Sequence, residues 1–495
     1  MIVMKFGGSS LESAGAIEQA ASIVKAHGDR QPVVVVSAMG KTTDRLLDAV
    51  RAAARGDSYS ARQQTEALRR MHFTETRGVL GQRAEPFWRD SIAPMFRELH
   101  ELLVELSEGR PFTPETQDQV LSYGERISSL IVAEAFRHLG INAAQVDARK
   151  VIVTGDQFTH AVPWYWDTYA RLRRTVGLLA RDRVVVMGGF IGATSGGATT
   201  TLGRGGSDLT ASLVGAGISA DEIQIWTDVD GMLTSDPRVL AGGYRLREIS
   251  YQEAQEMARF GAKVLQPASI APALRQRIPI VIRNSRRPEV EGTRVVSSVQ
   301  TAPAIVKCLT SKGMAVVHLR VKNRGMLSSI TDGLADLFAQ EQIPVDLIQA
   351  HEKGISFAVE NWPGLSDVLR RVDESVDITV EEDRAAIWLV GEGIAGFAKI
   401  GNGGNAASTL ARACTVLQLT GVRLTSQGSS SLSLGFAIRE VDLQPAMEAL
   451  HREFFAAPDR DVFAVGEYAP ASASQAASQP SQRRPSGQPQ ALPAH

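Results

Sequence analysis

Thr199-Thr200-Thr201-Leu202-Gly203-Arg204-Gly205-Gly206-Ser207-Asp208 follows the apolar run Val184-Val185-Val186-Met187 and the turn Gly188-Gly189-Phe190-Ile191-Gly192. It leads into Leu209-Thr210-Ala211-Ser212-Leu213-Val214. The apolar run predicts a buried strand, and the segment after the acid predicts a helix with Asp208 near its N-terminus. Three glycines around one arginine let backbone N–H groups approach an anion, and a helix start favours negative charge there. Many tight turns are glycine-rich, but this one also carries an arginine, a hydroxyl run and an acid within ten residues.

The N-terminal region repeats the pattern. Ile2-Val3-Met4-Lys5-Phe6 reads as a strand ending in Gly7-Gly8-Ser9-Ser10, with Ser10 as the cap of the next helix. Val33-Val34-Val35-Val36 reads as a fully apolar strand, followed by a loop over 37–44 that holds Ser37, Gly40, Lys41 and Thr43. Alternation of strand, glycine loop and helix predicts an α/β fold with a mostly parallel sheet covered on both faces. Ligands in such sheets sit at the carboxyl ends of strands.

Residues 60–110 read as a helical excursion. Thr113-Pro114 then opens a helix with an apolar stripe through Val120, Leu121, Ile127, Leu130 and Ile131, and Glu125 is expected half-buried on its flank. Ile223-Gln224-Ile225-Trp226 reads as a strand ending in Thr227-Asp228, and Ser235-Asp236-Pro237-Arg238 as a turn. From Ala304 the units shorten to strand, helix and strand, in two similar copies. From Pro470 the chain is rich in Ser, Gln, Pro and Ala, and disorder is expected there.

Composition narrows the classes. A chain of 495 residues at roughly 150 per domain suggests about three domains. A formal charge of -1 argues against a general nucleic-acid binder, and two cysteines, Cys308 and Cys414, exclude a disulfide framework or a cysteine zinc site. No apolar stretch has the length of a membrane span, so a cytoplasmic enzyme is expected.

Lys5-Phe6-Gly7-Gly8-Ser9-Ser10, the 37–44 loop, Gly124-Glu125 and the stretch quoted first occur in that order. With Trp226-Thr227-Asp228, Ser235-Asp236-Pro237-Arg238 and Phe260-Gly261-Ala262-Lys263, they closely resemble the aspartate kinases of the amino-acid kinase family. The resemblance implies a three-layer α/β/α kinase domain over 1–295 and a linker over 296–303. Two ferredoxin-like ACT modules (βαββαβ) over 304–380 and 381–457 would follow. A closing strand within 458–469 would return to the first module, and 470–495 would form the disordered tail.

It also implies a reaction: transfer of the γ-phosphoryl group of MgATP to the β-carboxylate of L-aspartate, the first step toward lysine, threonine and methionine. Donor and nucleophile are both anionic, so such a site must chiefly neutralise charge and align the two. By resemblance, Lys5 and Lys263 grip phosphate oxygens from outside the core, and Asp208 organises them. Arg204 would clamp the α-carboxylate of aspartate and Glu125 receive its ammonium, with Ser37, Thr43, Gly205 and Ser207 completing the substrate site. ATP would contact Lys5, Gly7, Gly8, Ser9, Thr227, Asp228, Arg238, Lys263 and Val264. Leu233 stands where many relatives have a tyrosine that holds adenine. No protein ligand is assigned to Mg²⁺, which the nucleotide would carry. A lysine or threonine effector is expected at Met326, Ser328 and Asp346, and the ACT modules imply a homodimer or higher homo-oligomer.

Two motifs are misleading. Gly40-Lys41-Thr42 resembles the end of a phosphate-binding P-loop, but its earlier glycine would fall at Val35. Gly391-Glu392-Gly393-Ile394-Ala395-Gly396 matches a dinucleotide fingerprint, yet no ribose-binding acid follows in the required context. The alternatives are a family member with another acid substrate and a non-catalytic amino-acid sensor. Retention of Lys5, Glu125, Arg204, Asp208 and Lys263 argues against decay of the site.

Overall fold

The computed structural model describes residues 1–240, 242–262, 265–299, 306–321, 327–341, 343, 345–352, 354–360, 364–372, 376–394, 408–424 and 426–464. Lys263, Val264, Met326 and the 470–495 tail lie outside the described residues, and of Ser328 only the helical backbone is described.

Strands β1 (Ile2–Phe6) and β2 (Pro32–Val36) are buried along nearly their whole length, as their apolar runs require. Valine and isoleucine suit a strand covered on both faces. Helix α1 (Ala14–Ala26) between them is capped by Ser13, whose hydroxyl accepts from the Ala16 N–H at 3.2 Å. Ser10, the expected cap, lies in a short turn with its Oγ 2.7 Å from Ser285 Oγ. That turn directs the Gly7 N–H to the Trp226 carbonyl, so the helix starts later than expected.

The helical excursion comprises α2 (Thr42–Ala54), α3 (Ser58–Leu80), α4 (Ala84–Phe87) and α5 (Ala93–Ser107). Thr113 caps α6 (Pro114–Leu121) through the Thr116 N–H, with Pro114 in the first turn. The chain turns at Ser122 and continues as α7 (Tyr123–His138). Then come β3 (Ala143–Val146), β4 (Val153–Thr154), α8 (Tyr165–Leu179), β5 (Val184–Gly188), β6 (Ile191–Thr194), β7 (Thr199–Thr201) and α9 (Gly206–Ile218). Strands β8 (Glu222–Thr227), β9 (Arg245–Leu246) and β10 (Glu248–Ser250), helices α10 (Tyr251–Arg259) and α11 (Ala271–Gln276), and strands β11 (Ile280–Asn284) and β12 (Thr293–Val296) complete this half.

The main sheet has the order β10-β12-β11-β8-β1-β2-β5-β3, parallel except between β11 and β12. Val3, Val35, Ile223 and Ile225 enter one core with residues of α8 and α9. Met4, Phe6, Val34 and Val36 enter the other with α1, α2 and α7. This three-layer arrangement places the ends of β1, β2 and β8 side by side.

The second half contains β13 (Cys308–Val321), α12 (Leu327–Gln340), β14 (Val345–His351), β15 (Gly354–Glu360), α13 (Leu365–Leu369), β16 (Val376–Val390), α14 (Thr409–Leu419), β17 (Ser426–Ser429), β18 (Ser433–Arg439) and α15 (Leu443–Phe455). Its strands form one antiparallel sheet in the order β14-β15-β13-β16-β18-β17. Residues 308–314 of β13 pair with 384–390 of β16, and 316–321 pair with 376–381. The expected division at 380/381 therefore falls inside one continuous strand. Because both long strands serve both units, the first strand-and-helix unit is nested within the second rather than preceding it.

Of the expected closing strand over 458–469, residues 458–464 are described and 465–469 lie outside the described residues. Within the described part, Phe463–Ala464 forms β19, which pairs with β9 of the first half. Phe463 packs against Tyr244 and Phe455, and the Arg247 N–H donates to the Val462 carbonyl.

Candidate active site

Two cavities open at the carboxyl ends of neighbouring parallel strands. The first, about 310 Å³, lies between the Gly8 turn, the 37–43 loop, the start of α7 and the 203–208 turn. Lys5, Gly8, Ser37, Thr43, Glu125, Gly205, Ser207 and Asp208 line it. Ala38, Gly40, Phe190, Gly203 and Gly206 complete the lining without having been assigned roles from sequence.

Lys5 enters from β1, between Val35 on β2 and Ile225 on β8. Its Nζ is 2.7 Å from Asp208 Oδ1 in the first turn of α9, and the two side chains are only 11% and 15% exposed. The contact is an enclosed ion pair. Lys5 was expected outside the core. Its strand is central to the sheet, so the stem is enclosed and only the head reaches the cavity.

Gly205 is the cap of α9 and has φ +69°, a conformation glycine adopts without steric cost. A Cβ there would also sit 2.7 Å from the Gln266 side chain. Gly8 is required for close approach, because a Cβ would meet the Ala38 and Gly40 carbonyl oxygens at 2.8 and 2.9 Å.

Glu125 is more deeply buried than expected, at 3% exposure. Its Oε1 accepts from the Ala38 N–H at 3.1 Å, while Oε2 is sealed from solvent without a hydrogen-bond partner among the described residues. Burial pushes its pKa up to about 8, against the opposing effect of the Ala38 N–H. Neighbouring Arg126 does not pair with it, lying instead over the Tyr123 ring and 3.9 Å from Glu98. The cavity floor thus has an oxygen that accepts from a cationic donor once the carboxyl ionises.

Arg204 is exposed, stands between two lining glycines and makes no ion pair among the described residues. Ser9 opens into a separate cleft with Ser10 and Ser285. Gly7 lies beside the Lys5 head and donates its N–H to the Trp226 carbonyl.

The second cavity, about 470 Å³, is lined by Thr227, Asp228, Leu233, Arg238 and Gly261, and by Cys308, Leu309, Thr310 and Ser311 of β13. It is the more apolar of the two, and one wall belongs to the second half of the chain. Arg238 is turned back onto Asp236, with Nη2–Oδ2 at 2.6 Å and Nε–Oδ1 at 3.0 Å. The Asp236-Pro237 turn therefore holds the guanidinium as well as bending the chain.

Asp118 belongs to none of the sequence motifs quoted above. It is fully buried on α6, and its Oδ2 accepts from the N–H groups of Thr201 (2.8 Å) and Thr159 (2.9 Å). Its Oδ1 accepts from Thr201 Oγ1 at 2.6 Å. Burial raises its pKa, and these three donors oppose the rise. Thr159 is held at φ +71°, and its carbonyl closes on Gly203. Asp118 therefore fixes the strand leading into the 203–208 turn; the available signal was an acid among the buried positions of a short helix.

The family model for the amino acid kinase family matches residues 1–284. Aspartokinase 1, chloroplastic, of Arabidopsis thaliana is 32% identical over 467 residues, covering 92% of this chain and 80% of that protein. The crystal structure of Escherichia coli aspartokinase III in complex with aspartate and ADP, described as the R-state, aligns with a TM-score of 0.77 at 29% identity. That alignment covers 92% of this chain and 100% of the other. The same enzyme in complex with lysine and aspartate, described as the T-state, aligns at 0.76 and 29% identity, covering 92% and 99%.

Proposed function

The chain belongs to the amino acid kinase family, and from that premise we propose that it is an aspartate kinase transferring the γ-phosphoryl group of ATP to the β-carboxylate of L-aspartate. The observation that carries the reading is the buried, unpartnered Oε2 of Glu125 on the floor of a cavity that also holds Lys5 and Asp208. The substrate ammonium would supply the missing donor and favour the ionised carboxylate. Arg204 is free to fold over the α-carboxylate as a bidentate clamp, while Ser37, Thr43, Gly205 and Ser207 offer hydroxyl and N–H groups around the substrate. The relative crystallised with aspartate and ADP supports aspartate and an adenine nucleotide as the ligands.

In this mechanism the β-carboxylate attacks the γ-phosphorus and ADP leaves. No general base is needed, because the nucleophile is already ionised. Lys5, together with Lys263, stabilises charge on the transferring group; Asp208 holds the Lys5 ammonium in position. The nucleotide base and ribose would occupy the cavity at Thr227, Asp228 and Leu233, with Gly7, Gly8 and Arg238 toward the phosphates; Ser9 and Val264 remain among the proposed ATP contacts. Mg²⁺ belongs to the proposal as the ion carried by the nucleotide, neutralising phosphate charge. Among the described residues no cluster of three or more His, Cys, Asp or Glu side chains suits a metal, and a phosphate- and water-bound ion needs none.

Feedback by lysine or threonine through the ACT sheet is part of the proposal, supported by the lysine complex of the relative. Asp346 is paired with Lys312, Nζ–Oδ2 2.6 Å, so an effector ammonium at Asp346 would have to displace that lysine. Met326 and Ser328 complete the proposed effector loop. The proposed form is a cytoplasmic homodimer. No described helix is long and apolar enough to cross a membrane. ADP release measured with aspartate, glutamate, acetylglutamate and carbamate tests the substrate assignment. Only aspartate is expected to sustain turnover, and preference for another acid would overturn it.

A further inference from the structure

A third cavity, about 360 Å³, lies on the face of the main sheet opposite α9 and outside both ligand cavities described above. Strands β8, β11 and β12 present Gln224, Arg283 and Arg294 to it, and Arg30, Arg247 and Glu291 close its sides. Four arginines there face two glutamates. Glu222 takes Arg30 at 3.2 Å and Arg294 at 4.0 Å, Glu248 beside the cavity takes Arg294 at 3.8 Å, and Glu291 takes Arg247 at 3.5 Å.

Arg283 makes no ion pair among the described residues. Its guanidinium lies over the indole of Trp226, 5.0 Å from the ring centroid. Its Nε is sealed from solvent and has no hydrogen-bond partner among the described residues. A buried donor without an acceptor is costly, and that cost falls if a ligand supplies one. A planar guanidinium matches an oxyanion with two parallel hydrogen bonds. The surrounding positive excess would add long-range attraction.

We propose that this cavity binds a small oxyanion, a carboxylate or phosphate group, through the fork of Arg283 with Arg30, Arg247 and Arg294 around it. The site sits next to the proposed nucleotide cavity without sharing its lining. Trp226 immediately precedes Thr227, and the Ser285 N–H, two residues beyond Arg283, donates to the Thr227 carbonyl at 2.8 Å. The inference does not require the kinase assignment.

The experiment is calorimetric titration of the full chain at low ionic strength with inorganic phosphate and, separately, succinate. Wild type, Lys5→Ala, Arg283→Gln and Arg283→Lys are compared. At least one anion should bind wild type and Lys5→Ala alike. Its affinity should fall roughly 10- to 100-fold in both Arg283 variants, the scale of a lost charge-assisted hydrogen bond. Phosphate binding alone would identify phosphate as the ligand class, and succinate binding alone would identify carboxylate. No binding of either anion overturns the proposal. So does binding that survives at Arg283 but is lost in Lys5→Ala, which would locate the ion in the active cavity. If the Arg283 variants do not fold, Arg30→Gln and Arg294→Gln, at more exposed positions, should each weaken the same binding; unchanged affinity in both overturns it.

Discussion

The ring of Phe260, immediately after α10, lies face to face with the indole of Trp388 on β16, with centroids 3.7 Å and planes 10° apart. Gly261 follows at φ +108°, where a Cβ would sit 3.0 Å from the Ser311 carbonyl oxygen. At the other end of α10, Glu253 pairs with fully buried Lys307 at 2.8 Å and accepts from the Glu392 N–H at 2.9 Å. The helix that precedes Lys263 in the chain is therefore fastened at both ends to the second half of the molecule.

Trp388→Ala should destabilise the protein by about 3–5 kcal/mol, the range for removing a large aromatic from a core. It should also raise KM for MgATP more than KM for aspartate, because Gly261 lines the proposed nucleotide cavity. Denaturant unfolding and steady-state kinetics on the folded fraction check both statements. An unchanged nucleotide KM would detach the stack from nucleotide binding.

Lys5→Ala should lower kcat by about two to three orders of magnitude, the scale for losing one preorganised electrostatic donor. The enclosed pair with Asp208 adds a structural cost, on the order of 1–3 kcal/mol for an unpaired buried group. Asp208→Asn should recover stability in the Lys5→Ala background without recovering turnover. Recovery of turnover would remove Lys5 from the chemistry.

The Glu125 carboxyl titrates near 8 when folded against a reference value of 4.5. The folded state therefore holds a proton that the unfolded state loses, and this group's contribution makes stability fall as pH rises from about 4.5 to about 8. Glu125→Gln should flatten that part of the stability curve and weaken aspartate binding. Binding of aspartate to wild type near pH 7 should release a proton, measurable by calorimetry in buffers of different ionisation enthalpy. Proton uptake on binding would contradict the proposed ammonium–carboxylate contact.

Asp118→Ala removes the acceptor for the Thr159 and Thr201 N–H groups. KM for aspartate should rise about 10- to 100-fold, the scale of one lost hydrogen bond to a charged group. The change in kcat should be smaller. Asp118→Asn should restore much of the loss, because its Oδ1 can accept both N–H groups while Nδ2 donates to a reoriented Thr201 hydroxyl. Equal damage from both variants would argue against this positioning role.

The core strands were legible because their apolar runs are uninterrupted and buried on both faces. The cavity was legible at Lys5, Gly8, Glu125, Gly205 and Asp208 because glycine turns and charged groups were joined in the expected order. The depth of Glu125 was underestimated: periodicity put it on the flank of its helix, whereas close approach of the Ala38 loop buries it. Nesting of the ACT units was hidden because no local signal marks where a long strand changes partners at Met314/Val316. Pairing of Phe463 with the Leu246 strand depends on contacts more than 200 residues apart in the chain. Exposure of Arg204 and retention of Arg238 by Asp236 are likewise tertiary facts, set by backbone direction and a local carboxylate.

The most direct test of the central claim is to incubate the full chain with ATP, Mg²⁺, L-aspartate and hydroxylamine, quantifying ADP and aspartate β-hydroxamate together. The account predicts equimolar formation of the two, dependent on aspartate and abolished when succinate, which lacks the ammonium for Glu125, replaces it. ADP formation without the β-hydroxamate, or equal turnover with succinate, would contradict it.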